Sequence, residues 1–368
     1  MQIKMNDYVA LENKQTYITE NPLAEAQLPI DCGEGVNILQ IPPHWLETFA
    51  DLDLERIRTY PHTPKLKAEL VKYWRDCTAV NQTNVFITEG SMDGIRIACR
   101  LFLERGDRVL GNIPTFNAAE SEIKLSGALY DGVLLAAENN YVFHCDVFLQ
   151  RLDSRHKMVF IDNPNNPTGQ VIPLDQIRWI AAAAARLGIG VVIDEAYGDY
   201  MAMENSAINL LESFENIVVL RTFSKGFGLA GMRIGYLFAS SGELAQSLSK
   251  VTDAYSVCVF SRLMAQAALG DLDFLQQVNK TAKELKEQIL VENWQNLTVS
   301  ATGENVPIML LSHRDSAVNL AAALAERGIK AISGKEFSGL GKNSVRFRIP
   351  QEKDLAEVID VLQEIDGE

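Results

Sequence analysis

At 368 residues, with 47% hydrophobic and 22% charged side chains, the chain has the make-up of a folded globular protein, long enough for one large core or for two domains sharing a site. A formal net charge of −14 opposes binding to phosphate backbones, which argues against nucleic acid as a partner but not against a small anion held by a local group of cations. No apolar run approaches the roughly 18–20 residues of a membrane span, and the opening residues Gln2, Lys4, Asn6 and Asp7 lack the apolar core of a secretory signal.

Short apolar runs then alternate with helix-length amphipathic segments. Residues 84–88 are predicted as a strand and 93–103 as a helix; 108–111 is the next strand and 118–125 the next helix. A strand over 157–161 precedes a helix over 175–186, whose alanines are good helix formers. Strands at 190–193, 217–220 and 236–239 complete the set. Continuous apolar strands alternating with helices indicate an α/β fold whose mostly parallel sheet is covered on both faces. Ligands of such sheets sit beyond the carboxyl ends of the strands, where the Gly-, Pro-, Asn- and Asp-rich stretches fall here. After about residue 250 the pattern changes. Helices over 242–252, 260–269 and 273–292 lead to a smaller α+β region with strands at 307–311, 330–332 and 345–349, a helix over 316–327 and a closing helix from Lys353.

Four stretches carry chemistry. Thr222-Phe223-Ser224-Lys225-Gly226-Phe227-Gly228-Leu229-Ala230-Gly231-Met232-Arg233 follows a strand and combines two hydroxyls, a lysine, several glycines and an arginine. A lysine there suits a Schiff base with an aldehyde cofactor, or else a phosphate-binding turn with a surface lysine. Val191-Val192-Ile193-Asp194-Glu195-Ala196-Tyr197 is an apolar strand ending in a carboxylate, with a phenol three residues on. Asp194 is placed to ligate a metal, cap a helix or pair with a buried cation such as a protonated pyridine nitrogen; with no His nearby, the metal is poorly supported. Asn163-Pro164-Asn165-Asn166-Pro167-Thr168-Gly169 follows another strand and reads, residue by residue, as a tight loop. Thr88-Glu89-Gly90-Ser91-Met92-Asp93-Gly94 is a strand-to-helix turn whose free amides suit a phosphate. Five scattered cysteines (Cys32, Cys77, Cys99, Cys145, Cys258) without a C-x-x-C pair read as reduced thiols of a cytoplasmic protein, not as a disulfide frame or a zinc site.

In this order the four stretches resemble the class I/II aminotransferases of pyridoxal-5′-phosphate (PLP) fold type I, nearest in appearance to the subgroup that contains histidinol-phosphate aminotransferase. N-P-x-N-P-T-G, D-E-A-Y and S-K-x-x-x-L-A-G-x-R carry the likeness, which covers the chain from about Ile30 to Arg348. The resemblance implies a large PLP-binding domain over 41–250, a small domain over 251–368 joined by an amino-terminal segment over 1–40, and a cytoplasmic homodimer with sites at the subunit interface.

Carried over residue by residue, Lys225 matches the Schiff-base lysine, Asp194 the partner of the pyridine nitrogen, and Tyr197 and Asn166 the donors to the cofactor's phenolic oxygen. Ser91, Met92, Thr222, Ser224 and Arg233 match the phosphate position, and Tyr60 the tyrosine that reaches that phosphate from the neighbouring subunit. Phe116 takes the place of the aromatic stacked on the ring, usually a Tyr. The substrate carboxylate falls to Arg346, with Arg348 as a competitor two residues on in the same strand; Gly35, with Gly33 as its competitor, matches a glycine facing the substrate, and Tyr255 an aromatic at the substrate end. Metal is not expected. Ile332 stands where histidinol-phosphate aminotransferases carry the arginine that grips the substrate's phosphate, so an unphosphorylated amino acid is expected, unless Lys330, Lys335 or Arg348 supplies the charge. In the implied transamination Asp194 keeps the ring nitrogen protonated and Lys225 moves the Cα proton. A PLP-dependent decarboxylase of amino-acid phosphates, a β-lyase or a cyclising enzyme of specialised metabolism would need the same parts. A PLP-binding transcriptional regulator would need a DNA-binding domain ahead of Ile30, where the residues are too few and not basic.

Overall fold

A computed structural model describes residues 6–11, 28–50, 52–62, 64–240 and 242–368; the signal-peptide reading of Gln2 and Lys4, and much of the 1–40 segment, fall outside them. Its largest sheet has seven strands: β1 (Val85–Thr88), β2 (Arg108–Ile113), β3 (Leu129–Leu134), β4 (His156–Asp162), β5 (Gly190–Asp194), β6 (Ile217–Thr222) and β7 (Gly235–Ala239). The spatial order is β1-β7-β6-β5-β4-β2-β3. β5 and β6 are buried throughout, as valine- and isoleucine-rich strands covered on both faces should be. Pairing is parallel from β6 across to β3, whereas β7 runs antiparallel to both its neighbours, β6 and β1. The cause is the connection: residues 223–234 return directly from β6 to β7, whereas parallel neighbours need a crossover that carries the chain back to the other end of the sheet, as residues 195–216 do between β5 and β6.

The strands run one or two residues beyond the predicted ends, which carries Asp162, Asp194 and Thr222 onto the sheet's carboxyl edge. β3 has no counterpart in the predicted strands. It is an edge strand with a mostly part-exposed pattern, interrupted by Asp131 and Gly132, so no apolar run marks it.

The second region is built around a four-stranded antiparallel sheet ordered β10-β11-β9-β8, with β8 Leu297–Val299, β9 Ile308–His313, β10 Ile332–Ser333 and β11 Ser344–Arg348. The strand expected over 330–332 is instead two short pieces. Ile329–Lys330 pairs in parallel with Ile30–Asp31, and Ile332–Ser333 pairs with β11, the chain crossing between sheets at Ala331. The helix expected over 316–327 starts later, at Leu320–Glu326, because the Asn319 side chain caps it by accepting from Ala322 N–H. Cys32 N–H donates to the Lys330 carbonyl (2.8 Å) and Arg348 N–H to the Cys32 carbonyl (2.8 Å). The chain near residue 32 is thereby stitched into the carboxyl-terminal region. Among the described residues no helix is long and apolar enough to cross a membrane.

Candidate active site

Beyond the carboxyl ends of β4, β5 and β6 lies a cavity of about 650 Å³, walled on its far side by β11 and the segment around Gly33 to Val36. Lys225 reaches it from the turn after β6. That turn is pinned on both sides: Phe223 and Phe227 are buried and in ring contact (5.2 Å), Phe223 N–H donates to the Ile234 carbonyl (3.1 Å), and Leu229 N–H to the Phe223 carbonyl (2.9 Å). The Lys225 Nζ stands 5.1 Å from the centre of the Tyr197 ring.

Asp194 ends β5 and is buried. Burial, then repulsion from Asp162, push its carboxyl up to about 7, against the pull of the Ala196 N–H and the Lys225 charge. It is a carboxylate short of positive charge. Tyr197 follows on the turn and its hydroxyl is buried with no hydrogen-bond partner among the described residues. Gly35 approaches that hydroxyl closely: a Cβ built on it would lie 1.9 Å from Tyr197 Oη and 3.6 Å from Lys225 Nζ. A side chain at position 35 would therefore fill the space where the phenol and the amine converge.

Beneath this turn lies a buried ionic knot. Arg221, on β6, donates to Glu195 (3.0 Å) and Asp199 (2.6 Å), and its guanidinium sits over the Trp74 ring (5.0 Å). Glu195 also accepts from Ser206 Oγ (2.6 Å) and Ala207 N–H (2.7 Å). These contacts clamp the Asp194–Tyr197 turn from both sides.

A helix, α1 (Ser91–Phe102), starts after Gly90, whose φ of +93° few other residues would accept. Its first amides have no intrahelical partner. Thr222 Oγ1, Ser224 Oγ and the Arg233 guanidinium border the same end of the cavity; Thr222 Oγ1 is 2.9 Å from Ser224 Oγ, and Arg233 donates to the carbonyls of Ala230 (2.8 Å) and Glu89 (3.3 Å). A helix N-terminus, two hydroxyls and a guanidinium make an anion site.

Asp162, at the end of β4, carried no role in the sequence reading. Its carboxylate accepts from Thr115 Oγ1 (3.0 Å), Asn165 Nδ2 (3.0 Å), Phe116 N–H (3.1 Å) and Asn166 N–H (2.9 Å). One buried carboxylate thus sets both Phe116 and Asn166 against the cavity. The signal was present, since Asp162 ends an apolar strand just as Asp194 does.

Arg346 projects from β11 into the cavity and is 1% exposed. It donates to the Gly33 carbonyl and approaches Asn166 Oδ1 (3.5 Å). Arg348 does not line the cavity; its guanidinium is spent on the carbonyls of Asp31 and Ile349 (2.8 Å to the latter). Gly33 and Gly35 both line the wall. Lys330 and Ile332 share it, their side chains lying 3.3 Å from a Cβ built on Gly33, whereas Lys335 does not. Arg96, on α1 and paired with Glu122 (3.3 Å), is a further cation that sequence reasoning passed over.

Tyr60 and Tyr255 lie elsewhere. Their rings meet (5.2 Å) in an open groove of about 690 Å³ that also holds His62, Cys258 and Phe260, and Tyr60 is 71% exposed. Within this chain neither reaches the cavity.

A family model described as aminotransferase class I and II matches residues 29–362. A histidinol-phosphate aminotransferase of Ruminiclostridium cellulolyticum is 28% identical over 332 residues, 88% of this chain and 89% of the relative. One from Thermoanaerobacter pseudethanolicus is 34% identical over 281 residues, 76% of each chain. Among solved structures, histidinol-phosphate aminotransferase from Sinorhizobium meliloti in complex with pyridoxal-5′-phosphate matches with a TM-score of 0.79 at 20% identity, covering 92% of this chain and 91% of that one.

Proposed function

This chain belongs to the class I and II aminotransferases and is a PLP-dependent transaminase; on that premise we propose that Lys225 holds the cofactor and that the substrate is a free amino acid gripped by Arg346. The observation that carries the reading is the convergence, in one cavity, of the Lys225 amine, a buried Tyr197 hydroxyl without a partner and an under-compensated Asp194. All three fit the cofactor. An orphaned phenol beside a gap that only glycine leaves open suits a phenolic oxygen, a carboxylate in need of a cation suits a pyridinium, and the cradle at α1 suits a phosphate.

Bound there, PLP supplies an electron sink for the charge left at the substrate Cα. Asp194 holds the proton on the ring nitrogen. Tyr197 Oη and Asn166 Nδ2 donate to the phenolic oxygen, leaving Asn166 Oδ1 toward Arg346. Phe116 would stack on the ring, and Ser91, Met92, Thr222, Ser224 and Arg233, which line the cavity, would hold the phosphate. Arg346, buried and fixed by the Gly33 carbonyl, presents its planar guanidinium to the substrate carboxylate. Gly35 keeps the substrate side open, and Lys225 Nζ would take the proton from the substrate Cα as base and give it up again as acid.

Tyr60 completes the phosphate site of a second subunit, and Tyr255 beside it faces that subunit's substrate end, so the chain works as a homodimer. The exposed aromatic groove around them, with Ile57 and Phe260, supports this, since apolar patches on a single chain mark association surfaces. The free state of all five cysteines supports a cytoplasmic location. The stitching of residue 32 to Lys330 and Arg348 supports a small domain formed by residues 1–40 with 251–368 around a large domain over 41–250.

Borohydride reduction of the purified, visibly absorbing protein should fix a pyridoxyl group on Lys225, located by peptide mass. A label on another lysine would refute the assignment. A second reading takes histidinol phosphate or another substrate with a distal anion: Lys330 lies beside Ile332 on the cavity wall and provides the charge that Ile332 lacks. Steady-state comparison of histidinol phosphate with a panel of free amino acids separates the two. A kcat/KM advantage of about a hundredfold for histidinol phosphate, roughly 2.7 kcal/mol, would establish the second.

A further inference from the structure

Lys286 lies in the middle of a long helix, α2 (Leu272–Leu290), and is 0% exposed, yet no carboxylate is among its partners. Its Nζ donates to Thr302 Oγ1 (2.6 Å) and to the carbonyls of Gly303 (2.8 Å), Val306 (2.7 Å) and Ile308 (3.2 Å). Four oxygens around one nitrogen satisfy an ammonium with its three donors; a neutral amine would turn a lone pair toward one of them. Burial works the other way and pushes the pKa down to about 7. A charge kept under that load, with no acid to offset it, needs a reason.

The oxygens themselves supply one. The segment that Lys286 gathers is the floor of the Asn163–Gly169 loop. Gly303 N–H donates to the Gly169 carbonyl (2.8 Å), and Ser300 Oγ contacts the Thr168 carbonyl (3.4 Å). A Cβ on Gly169 would lie 2.2 Å from the Ile308 carbonyl and 2.6 Å from Thr302 Oγ1, both bound by the ammonium. Asn166 sits in that loop. In the other direction Ile308 opens β9, where it pairs with Arg348, and Leu310 two residues on pairs with Arg346. Asn166 and Arg346 thus come from different sheets, meet at 3.5 Å in the cavity, and share one buried anchor.

We propose that Lys286 is a positioning residue for substrate recognition: its ammonium fills a cage of the kind that binds a monovalent cation and thereby locks Asn166 and Arg346 in register for the substrate carboxylate. The inference rests on the reading of Arg346 as the carboxylate-binding residue. Lys286 touches neither substrate nor cofactor, so its loss leaves Lys225, Asp194 and the phosphate cradle in place and acts through Asn166 and Arg346 to loosen the grip on the amino acid.

The test uses holoenzyme. Lys286→Met should raise KM for the amino donor about tenfold with kcat changed less than about threefold, with the cofactor still bound. In Lys286→Ala the vacated cage should accept a small cation, so potassium or ammonium chloride should lower KM again while lithium and tetramethylammonium chloride do not. Thr302→Val, which removes one oxygen and leaves the lysine, should show a smaller rise in KM and carries the test if the lysine variants do not fold. An unchanged KM in Lys286→Met or Thr302→Val, a loss of kcat and cofactor together, or rescue indifferent to the cation would overturn the proposal. Arg346→Gln separates the two levels. If it leaves KM unchanged, the carboxylate reading itself fails; if it raises KM while Lys286→Met does not, only the role of Lys286 fails.

Discussion

Asp194, in the role proposed for it, is a side chain whose surroundings favour a positively charged partner. Its pKa of about 7 stands above the 3.8 of an ordinary aspartate because burial and Asp162 oppose its charge. Between those values the folded, cofactor-free protein binds more protons than the unfolded chain, so this group makes stability fall as pH rises through the window, and the loss is complete above it. Asp194→Asn keeps the shape and removes the charge. Without cofactor, the variant should melt higher than wild type at about pH 8, by roughly 2 °C or more, with the gap closing toward about pH 4. With cofactor bound, the wild-type carboxylate has its counter-charge, and the variant should lose most of its turnover. A wild type that melts higher than the variant at the alkaline end without cofactor would refute this account. Asp194, Lys225 and Tyr197 were legible in sequence because they stand in stretches of fixed order. Asp162 was passed over although it ends an apolar strand as Asp194 does, because its work through the amides of Phe116 and Asn166 is something no spacing rule reveals. Arg346 and Arg348 share a strand, and only the approach of the Asp31 backbone separates their roles.

At the scale of elements, the Asn163–Gly169 loop is rigid because it is packed from below. Gly169 has a φ of +74°, and a Cβ there would meet the Ile308 carbonyl at 2.2 Å. Gly169→Ala combines a conformation that L side chains avoid with a clash against backbone that Lys286 holds fixed. It should cost about 2 kcal/mol or more in a urea melt and raise KM for the amino donor. A stability equal to wild type would show that β9 can move away. The central strands were readable because they are unbroken apolar runs. The edge strand β3 was not, because one of its sides faces solvent and Asp131-Gly132 interrupts it. The break at Ala331, where one apparent strand serves two sheets, follows from which neighbours lie nearby, and local sequence carries no trace of that.

For the molecule as a whole, the cavity and the Tyr60 groove are separate on one chain. If the groove lies against a second copy, each site is completed by its neighbour. Mixing inactive Lys225→Ala and Tyr60→Ala chains under subunit exchange should then restore roughly a quarter of the wild-type sites, because half the dimers are mixed and each has one intact site. A fully active monomer by light scattering would rule this out. The α/β class with its mostly parallel sheet was readable from the alternation of patterns. The antiparallel β7 was not, because its direction follows from the direct return over residues 223–234 and not from its own residues.

That return strand has a consequence for the order of events in folding. The pairs Thr222↔Gly235 and Arg221↔Tyr236 close residues 223–234 into a local hairpin, while the parallel pairs on the other side of β6, such as Val191↔Ile217, join residues across a connection longer than that loop, over residues 195–216. Closing a short loop loses less chain entropy than closing a long one, and local pairings form faster than distant ones. Lys225 and Arg233, assigned to opposite ends of the cofactor, both lie inside that early loop. The part of the chain proposed to hold the cofactor most directly is therefore also the part able to take shape first, before the sheet around it is complete.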